Sequence, residues 1–190
     1  MTEKIMKIAV YSGSFNPLHI GHLAIIRYLI AEGGFDCVYL IVSPKNPLKD
    51  TLTADSGLAR YRAALSAVER HFTSGVIVDD IELNMPAPHY TIKTLDALRV
   101  REPENKFTLV MGADNLSDIR RWRDYTRILK EYGTAVYPRT GFDLEEIKHE
   151  LEKEDPSYRI TLMKAEMVDI SSTTIRNAIA EGQDMSHWLM

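Results

Sequence analysis

The sequence predicts an α/β protein: one doubly wound, Rossmann-like domain over residues 1–190, with a mostly parallel sheet flanked by helices. Three observations lead to this prediction. Short apolar runs alternate with stretches of helical periodicity, which is typical of parallel strands joined by right-handed crossovers. The first apolar run leads directly into the first helical stretch. No Pro/Gly/Ser-rich linker, repeat or low-complexity block interrupts the series, so a single domain is the simplest division.

The individual elements follow from local patterns. Runs rich in β-branched and aromatic residues predict six strands: Ile5–Tyr11, Cys37–Ser43, Val76–Val78, Phe107–Met111, Thr134–Tyr137 and Arg159–Met163. Apolar residues spaced three and four apart predict six helices: Gly21–Glu32, Leu58–Phe72, Thr91–Arg101, Asp124–Tyr132, Leu144–Lys153 and Thr173–Ala180. Gly33-Gly34 and Gly182 are expected to end the first and last helices, because glycine readily adopts the left-handed conformation that closes a helix.

Composition excludes several classes of protein. With 190 residues and 45% hydrophobic content, the chain can bury a proper core. The net charge is −4 and the one local basic excess is Arg120–Arg123, so a nucleic-acid partner is not expected. The sole cysteine, Cys37, lies in an apolar run and is expected to be a small buried strand residue. Neither a secretion signal nor a membrane span is found, so a cytoplasmic protein without a membrane partner is expected, its oligomeric state open.

The turn after the first strand carries the strongest functional signal. It reads Gly13-Ser14-Phe15-Asn16-Pro17-Leu18-His19-Ile20-Gly21-His22. The amides and the positive dipole end of the following helix attract anions, and the small Gly13, Ser14 and Gly21 let a polyphosphate approach the backbone. Phe15 and Pro17 shape the entry to the turn, and His19 and His22 can point to one side of it. The sequence therefore predicts a phosphate cradle here.

Two other interpretations of the histidines are open at this point. The pair could cap the helix, or it could form half of a metal site. A zinc site needs a third and a fourth ligand, yet the chain has one cysteine and no His-Glu-x-x-His pattern. A protein-held metal is therefore not expected.

A second anion-binding helix start is predicted near the C-terminus, in Asp169-Ile170-Ser171-Ser172-Thr173-Thr174-Ile175-Arg176. Ser171 or Ser172 can cap this helix, which leaves other amides and hydroxyls, such as that of Thr173, available. Arg176 lies about one turn further on, and its guanidinium suits phosphate oxygens. Together, the two helix starts predict a clamp around a triphosphate.

Three further loops carry polar signals. Lys45 and Lys49 follow the second strand, where Lys49 is the better candidate for a phosphate and Lys45 the more ordinary surface lysine. Gly112 and Asp114 end the fourth strand, an arrangement suited to ribose hydroxyls, although Asp114 could also be an N-cap. Tyr90 and Thr91 place an aromatic ring and a hydroxyl at the start of a predicted helix, and Trp122 lies in the basic segment. Each of these residues could bind a ligand or simply pack in the core.

On these residues the chain resembles the bacterial nicotinate-nucleotide adenylyltransferases, which belong to the nucleotidyltransferase superfamily with the His-x-Gly-His signature. The likeness runs from Lys7 to about Gly182 and includes the two helix-start motifs, Pro88-His89-Tyr90-Thr91, Gly112-Ala113-Asp114 and Trp122. Many relatives have Pro-Pro-His-Lys where this chain has Pro47-Leu48-Lys49-Asp50, so Lys45 is an alternative to Lys49. Relatives also tend to continue past the last helix with a segment ending in aromatic residues, whereas this chain ends His187-Trp188-Leu189-Met190.

The resemblance implies a role for each motif. Catalysis falls to His19, His22 and Arg176. ATP is bound by residues from the two helix starts and the fourth strand end: Gly13, Ser14, Phe15, Gly21, His22, Gly112, Asp114, Ser171, Ser172, Thr173 and Arg176. The mononucleotide is bound through its phosphate by Ser14, Phe15 and Lys49 and through its pyridine ring by Tyr90, Thr91 and Trp122.

The implied reaction is adenylyl transfer from ATP to nicotinate mononucleotide, with Mg²⁺ bound through the ATP phosphates. Two alternatives are kept. One is a related adenylyl- or cytidylyltransferase with another acceptor, such as nicotinamide mononucleotide or phosphopantetheine. The other is a nucleotide-binding sensor that does not turn over. Tyr90, Thr91 and Trp122 favour the pyridine nucleotide, and the intact phosphate-binding residues favour catalysis.

Overall fold

Six parallel strands form one sheet in the computed structural model, which describes residues 4–44 and 57–190. The spatial order is β3-β2-β1-β4-β5-β6, and every neighbouring pair is parallel. The predicted doubly wound α/β fold is therefore confirmed. The strands found among the described residues are β1 (Lys7–Gly13), β2 (Cys37–Val42), β3 (Val76–Asp79), β4 (Lys106–Gly112), β5 (Thr134–Tyr137) and β6 (Ile160–Leu162).

Helices connect the strands on both faces of the sheet. Within the described residues they are α1 (Ile20–Ala31), α2 (Gly57–His71), α3 (Thr91–Arg101), α4 (Ala113–Ser117), α5 (Tyr125–Arg127), α6 (Leu144–Glu154) and α7 (Ser172–Ala180). In the same part of the chain, short 3₁₀ turns occur at Ile81–Leu83, Ile119–Arg121 and Ser186–Trp188. None of these helices is long and apolar enough to cross a membrane.

The helix predicted at Asp124–Tyr132 is wrong in form. Asp124 has a φ of 52°, in the left-handed region, so a regular helix cannot start there. Instead α5 is a single short turn, and a π-helical turn follows at Ile128–Tyr132. The Gly133 amide closes that turn by donating to the Ile128 carbonyl at 2.9 Å, which is the five-residue spacing of a π-turn.

Both faces of the sheet are buried, because residues alternate from one side of each strand to the other. Ala9 and Tyr11 belong to a core cluster shared with α1 and α2, whereas Ile8 and Val10 belong to a second cluster shared with α3 and α6. Cys37 lies in the second cluster and is buried, as its apolar surroundings predicted. The helices are thereby fixed on a rigid sheet, which positions the loops at the carboxyl ends of the strands.

The strand order changes direction next to β1. The chain moves outward from β1 through β2 to β3 and then returns to place β4 on the other side of β1. Loops leaving β1 and β4 therefore diverge at the same edge, which creates the crevice where doubly wound sheets bind ligands.

Candidate active site

The His-x-Gly-His turn begins α1 with a reciprocal cap built from the two histidines. His19 is the N-cap residue, and its ring Nδ1 accepts a hydrogen bond from the Gly21 amide at 3.2 Å. The His22 ring Nδ1 in turn accepts from the His19 amide at 3.2 Å. The Gly21 amide, expected from the sequence to be open to phosphate, is thus already occupied by a side chain. The capping interpretation of the histidines is confirmed, and it leaves room for a second role.

These caps determine which ring nitrogen carries the proton. In a neutral imidazole, one nitrogen accepts and the other donates. Because Nδ1 accepts in both rings, Nε2 carries the hydrogen in both. The two rings lie close together, with centroids 3.7 Å apart, and His19 is only 4% exposed. The turn therefore holds two N–H donors side by side.

The environment keeps both rings neutral in the free protein. Burial, with a smaller contribution from the Arg139 guanidinium, lowers the pKa of His19 to about 4. Burial, followed by His19 and then Arg139, lowers the pKa of His22 well below its usual value. Neutral Nε2–H groups can donate to phosphate oxygens without first gaining a proton. A bound polyphosphate would stabilise the protonated forms, because opposite charges attract.

The start of α7 is joined directly to the turn after β1. The Ser172 hydroxyl donates to the Pro17 carbonyl at 2.9 Å, and Arg176 Nη1 donates to the Asn16 carbonyl at 2.6 Å. Arg176 Nη2 also donates to Thr173 Oγ1 at 3.0 Å. A guanidinium has five N–H donors, so these bonds do not exhaust Arg176. The structure thus brings the two predicted anion-binding helix starts together.

Ser171 is the residue that caps α7. Its Oγ accepts from the Thr174 amide at 3.1 Å and lies 2.8 Å from the Thr174 hydroxyl. The sequence predicted Ser171 or Ser172 as the N-cap of this helix. Ser171 is the N-cap, whereas the Ser172 hydroxyl donates to the Pro17 carbonyl. Ile170, just before the cap, lies beside Gly21: a Cβ added at Gly21 would be 3.4 Å from Ile170 and 3.0 Å from the His19 ring. Gly21 is therefore needed for this close approach.

The end of β4 adds a carboxylate to the same site. Gly112, rather than Asp114, is the N-cap of α4, and Asp114 lies in the first turn of that helix. A Cβ at Gly112 would collide with the Asp114 carboxylate and come within 3.0 Å of the Tyr137 ring. Arg139, which follows β5, lies with its Nε 3.8 Å from Asp114 Oδ1 and its guanidinium 5.1 Å from the Tyr137 ring centre. Asp114 and Arg139 therefore form an acidic and basic pair at the site, where Glu166 and Asp169 are also found.

A cavity of about 380 Å³ lies between these elements. Five predicted site residues line it: His19, Gly21, His22, Asp114 and Ser171. Sequence reasoning missed Arg139, Phe142 and Met167, which also line the cavity. A signal for Arg139 was present, because the predicted strand Thr134–Tyr137 must deliver its following loop to the same edge of the sheet. Phe142 and Met167 carry no comparable signal, since only the path of the loops decides which apolar side chains meet there.

The cavity is not lined by Gly13, Ser14 or Phe15 of the first turn. Phe15 is buried with a φ of 43°, and its ring meets His22 and Tyr11 edge-on at centroid distances of 5.2 and 5.4 Å. A Cβ at Gly13 would be 3.1 Å from the Phe15 ring. The Ser14 carbonyl accepts a hydrogen bond from Arg60. Among the described contacts, Gly13, Ser14 and Phe15 thus support the turn, and ligand contacts by them stay a prediction.

The predicted pyridine-binding residues form a separate group. Tyr90 precedes α3, and its ring lies 5.5 Å from Lys93 Nζ and 5.2 Å from the Arg123 guanidinium. Trp122, adjacent to Arg123, is partly buried against the second core cluster. Neither aromatic residue, nor Thr91, lines the cavity described above. Lys45 and Lys49 lie outside the described residues.

Comparison with known proteins places these features in a family. Residues 10–178 match the model of the cytidylyltransferase-like family. A relative from Flavobacterium johnsoniae, named "Probable nicotinate-nucleotide adenylyltransferase", is 38% identical over 95% of this chain and 90% of its own. A relative of the same name from Porphyromonas gingivalis is 36% identical over 97% of this chain and 89% of its own.

A solved structure supports the fold. The nicotinic acid mononucleotide adenylyltransferase of Plasmodium falciparum, complexed with NaAD, superposes with a TM-score of 0.76 over 95% of this chain and 87% of that protein. Its sequence identity of 18% makes this a likeness of architecture.

Proposed function

The chain belongs to the nicotinate-nucleotide adenylyltransferase family, and we propose that it transfers the adenylyl group of ATP to nicotinate mononucleotide. The products are nicotinate adenine dinucleotide, a precursor of NAD, and pyrophosphate. The two relatives support this substrate pair, because they align over nearly their whole lengths. The observation that carries the proposal is the pinning of α7 to the first turn through Ser172 and Arg176, which brings Ser171 to the same cavity as His19 and His22.

The chemistry needs alignment rather than a protein nucleophile. An oxygen of the mononucleotide phosphate attacks the α-phosphorus of ATP, a new P–O bond forms, and the bond from the α-phosphorus to the bridging oxygen breaks. The electron pair of that bond leaves with pyrophosphate. The attacking phosphate is already anionic at neutral pH, so the protein lowers the barrier by holding the groups in line and neutralising the charge that develops on the leaving group.

We assign this neutralisation to His19, His22 and Arg176. The two Nε2–H groups are aimed by the caps that occupy Nδ1, so their orientation is fixed before ATP binds. Arg176 is not among the residues that line the cavity; it lies further along α7 than Ser171 and has donors beyond those used by Asn16 and Thr173. Ser171, which lines the cavity, begins α7 together with Ser172 and Thr173, and the dipole of this helix start favours the phosphates.

Mg²⁺ is part of the proposal. Among the described residues, no group of three or more His, Cys, Asp or Glu side chains is placed to hold a metal ion. We therefore propose that the ion is held mainly by phosphate oxygens and water. When bound in this way, Mg²⁺ would neutralise charge on the β- and γ-phosphates.

The remainder of ATP is assigned to the end of β4. Asp114 is a suitable acceptor for ribose hydroxyls, and Gly112 allows the ligand to approach the backbone. Arg139 holds Asp114 from the side at 3.8 Å. We also propose that the protein is cytoplasmic, because ATP is its substrate and its single cysteine, Cys37, is buried and unpaired, as suits a reducing compartment. The proposed nucleotidyltransferase domain spans residues 1–190.

The acceptor assignment rests on different residues. We propose that the pyridine ring is surrounded by Tyr90, Thr91 and Trp122. The mononucleotide phosphate is proposed to lie near Ser14, Phe15 and Lys49. The contact of Tyr90 with Arg123 supports this grouping, because it brings the segment before α3 against the segment that carries Trp122.

One assay tests the function and its alternatives. Pyrophosphate release from ATP is measured with nicotinate mononucleotide, nicotinamide mononucleotide and phosphopantetheine under matched conditions. We expect the highest kcat/KM with nicotinate mononucleotide. A preference for either of the other acceptors would reassign the substrate. ATP binding without release for any acceptor would leave the sensor interpretation and exclude the enzyme.

Trp122→Ala tests the acceptor site separately. If the ring stacks on the pyridine, its loss raises KM for the mononucleotide about tenfold, while KM for ATP changes little. Trp122→Phe, which keeps an aromatic face, is the control and should retain most of the affinity. Unchanged KM values in Trp122→Ala would remove Trp122 from the site.

A further inference from the structure

The last residues of the chain fold back onto the His-x-Gly-His turn. After the 3₁₀ turn at Ser186–Trp188, Leu189 forms an antiparallel bridge with His19. The Met190 amide donates to the Leu18 carbonyl at 3.4 Å. We name residues 186–190 the C-terminal strap.

The strap is anchored at its end by one side chain and one hydrogen bond. Met190 is 7% exposed and belongs to the same buried cluster as Phe15 and Leu18. Arg70 of α2 donates through Nη2 to the Met190 main-chain oxygen at 2.8 Å. The anchor therefore connects the strap both to the residues under the turn and to a neighbouring helix.

The bridge involves His19, whose ring orientation is important for the proposed reaction. His19 has extended backbone angles, φ −142° and ψ 171°, as a residue in a β-bridge does. On the helix side its amide donates to His22 Nδ1 and its carbonyl accepts from the His22 and Leu23 amides at 2.9 and 3.2 Å. On its other side His19 is bridged to Leu189, and the hydrogen bond of this bridge runs from the Met190 amide to the carbonyl of the preceding residue, Leu18. Because a ring N–H direction follows from the backbone and the cap, releasing the strap would let the histidine pair tilt.

We propose that the C-terminal strap is a positioning element for adenylyl transfer, and that Met190 is the residue that seats it. This inference rests on the proposed function, since it concerns the alignment of the same histidines. Met190 does not line the cavity described above; together with Phe15 and Leu189 it lines a second cavity of about 390 Å³. Its proposed effect on the first cavity runs through the bridge between Leu189 and His19.

The test compares two buried truncations. Met190→Ala removes the seat of the strap, and Leu29→Ala removes as many side-chain atoms from the same core cluster at the far end of α1. We expect Met190→Ala to lower kcat about tenfold, since small misplacements of catalytic groups have large effects on rate. KM for ATP should change less than kcat. Leu29→Ala should keep kcat within about twofold of wild type although it lowers Tm at least as much.

Two more variants separate positioning from folding. Met190→Leu conserves volume and should restore most of kcat. Arg70→Ala removes the bond to the Met190 oxygen at an exposed position, so it should fold normally and lower kcat by a smaller factor. Wild-type kcat in Met190→Ala, or an equal loss in Met190→Ala and Leu29→Ala, would overturn the proposal.

Amide hydrogen exchange distinguishes this proposal from the proposed function. Met190→Ala should speed exchange of the His22 and Leu23 amides about tenfold, whereas Leu29→Ala should leave them slow. Unchanged exchange in Met190→Ala would contradict the strap even if the enzyme is active. If wild-type protein released no pyrophosphate with any acceptor, the function would fail, and faster exchange would still show that the strap holds the turn.

Discussion

At the scale of single residues, the two histidines combine roles that the sequence presented as alternatives. One ring nitrogen of each caps the helix, and the other is left to donate. The helix cap is therefore what selects the tautomer. The structural role is compatible with the proposed chemical role, because imidazole has two distinct nitrogens on opposite sides of its ring.

Substitutions that mimic one nitrogen at a time test this division. Asn places its oxygen near the position of Nδ1, so His22→Asn should keep the bond to the His19 amide and most of the stability. It removes the Nε2 donor, and we expect kcat to fall about 100-fold or more. Gln reaches the position of Nε2 instead, so His22→Gln should be less stable yet retain more turnover. Steady-state kinetics and thermal melts of both variants provide the readout, and the reverse order of turnover would contradict the assignment.

The depressed histidine pKa values predict a pH dependence of stability. The unfolded chain takes up protons near pH 6.5, whereas folded His19 does so only near its pKa of about 4. The unfolded state thus binds more protons between these values, so stability falls as pH drops below about 6.5. For His19, the loss between pH 6.5 and pH 5 is about 1.6 kcal/mol.

His19→Asn isolates this contribution, because Asn is a good N-cap but does not titrate. Urea unfolding at pH 6.5 and pH 5 should show a smaller difference in the free energy of unfolding for His19→Asn than for wild type. Equal differences in the two proteins would mean that His19 is not the group responsible.

At the scale of elements, the start of α7 serves both as a helix cap and as a wall of the site. Ser171 accepts from the Thr174 amide and also lines the cavity. Its neighbour Ser172 fixes the helix to the first turn. The position of the α7 start is therefore determined by the turn after β1, which lies near the other end of the sequence.

A matched pair of substitutions at Ser171 separates the cap from the ligand site. Asp and Asn are both good N-caps, so Ser171→Asp and Ser171→Asn should each keep Tm close to that of wild type. The Asp carboxylate would repel the triphosphate, and we expect KM for ATP to rise about tenfold or more in Ser171→Asp alone. Equal KM values for ATP in the two variants would place the phosphates away from this helix start.

At the scale of the whole molecule, the sheet order assembles the site. His19 follows β1, Asp114 follows β4 and Arg139 follows β5, and these three strands are neighbours. Ser171 arrives from beyond β6 and is held by bonds to Asn16 and Pro17 through its own helix. A ligand in this cavity contacts both ends of the chain, so binding should stabilise the fold as a whole.

ATP is therefore expected to raise Tm. At a concentration about 100 times its Kd, a ligand that binds only the folded state adds about 2.7 kcal/mol, which for a chain of this size corresponds to about 5–10 °C. Differential scanning fluorimetry with and without ATP measures the shift. Ser171→Asp should shift much less than wild type at the same ATP concentration, and an undiminished shift would place ATP elsewhere.

The sequence by itself determined the elements and the main residues of the site. Apolar runs and helical spacing are local properties, so β5 was predicted with its observed bounds, Thr134–Tyr137, and α3 with Thr91–Arg101. The short α4 and the π-turn after Asp124 were missed, because one turn carries no periodicity. His19, Gly21, His22, Asp114 and Ser171 were predicted because strand ends and helix caps are visible in the chain order.

Only the tertiary structure decided how those residues meet. It showed that the Gly21 amide is capped, that α7 is pinned to Asn16 and Pro17, and that Arg139, Phe142 and Met167 are among the residues that line the cavity. It also brought Leu189 to His19 from the opposite end of the chain. Local patterns cannot predict these contacts, because they depend on the order in which strands assemble and on packing between residues far apart in sequence.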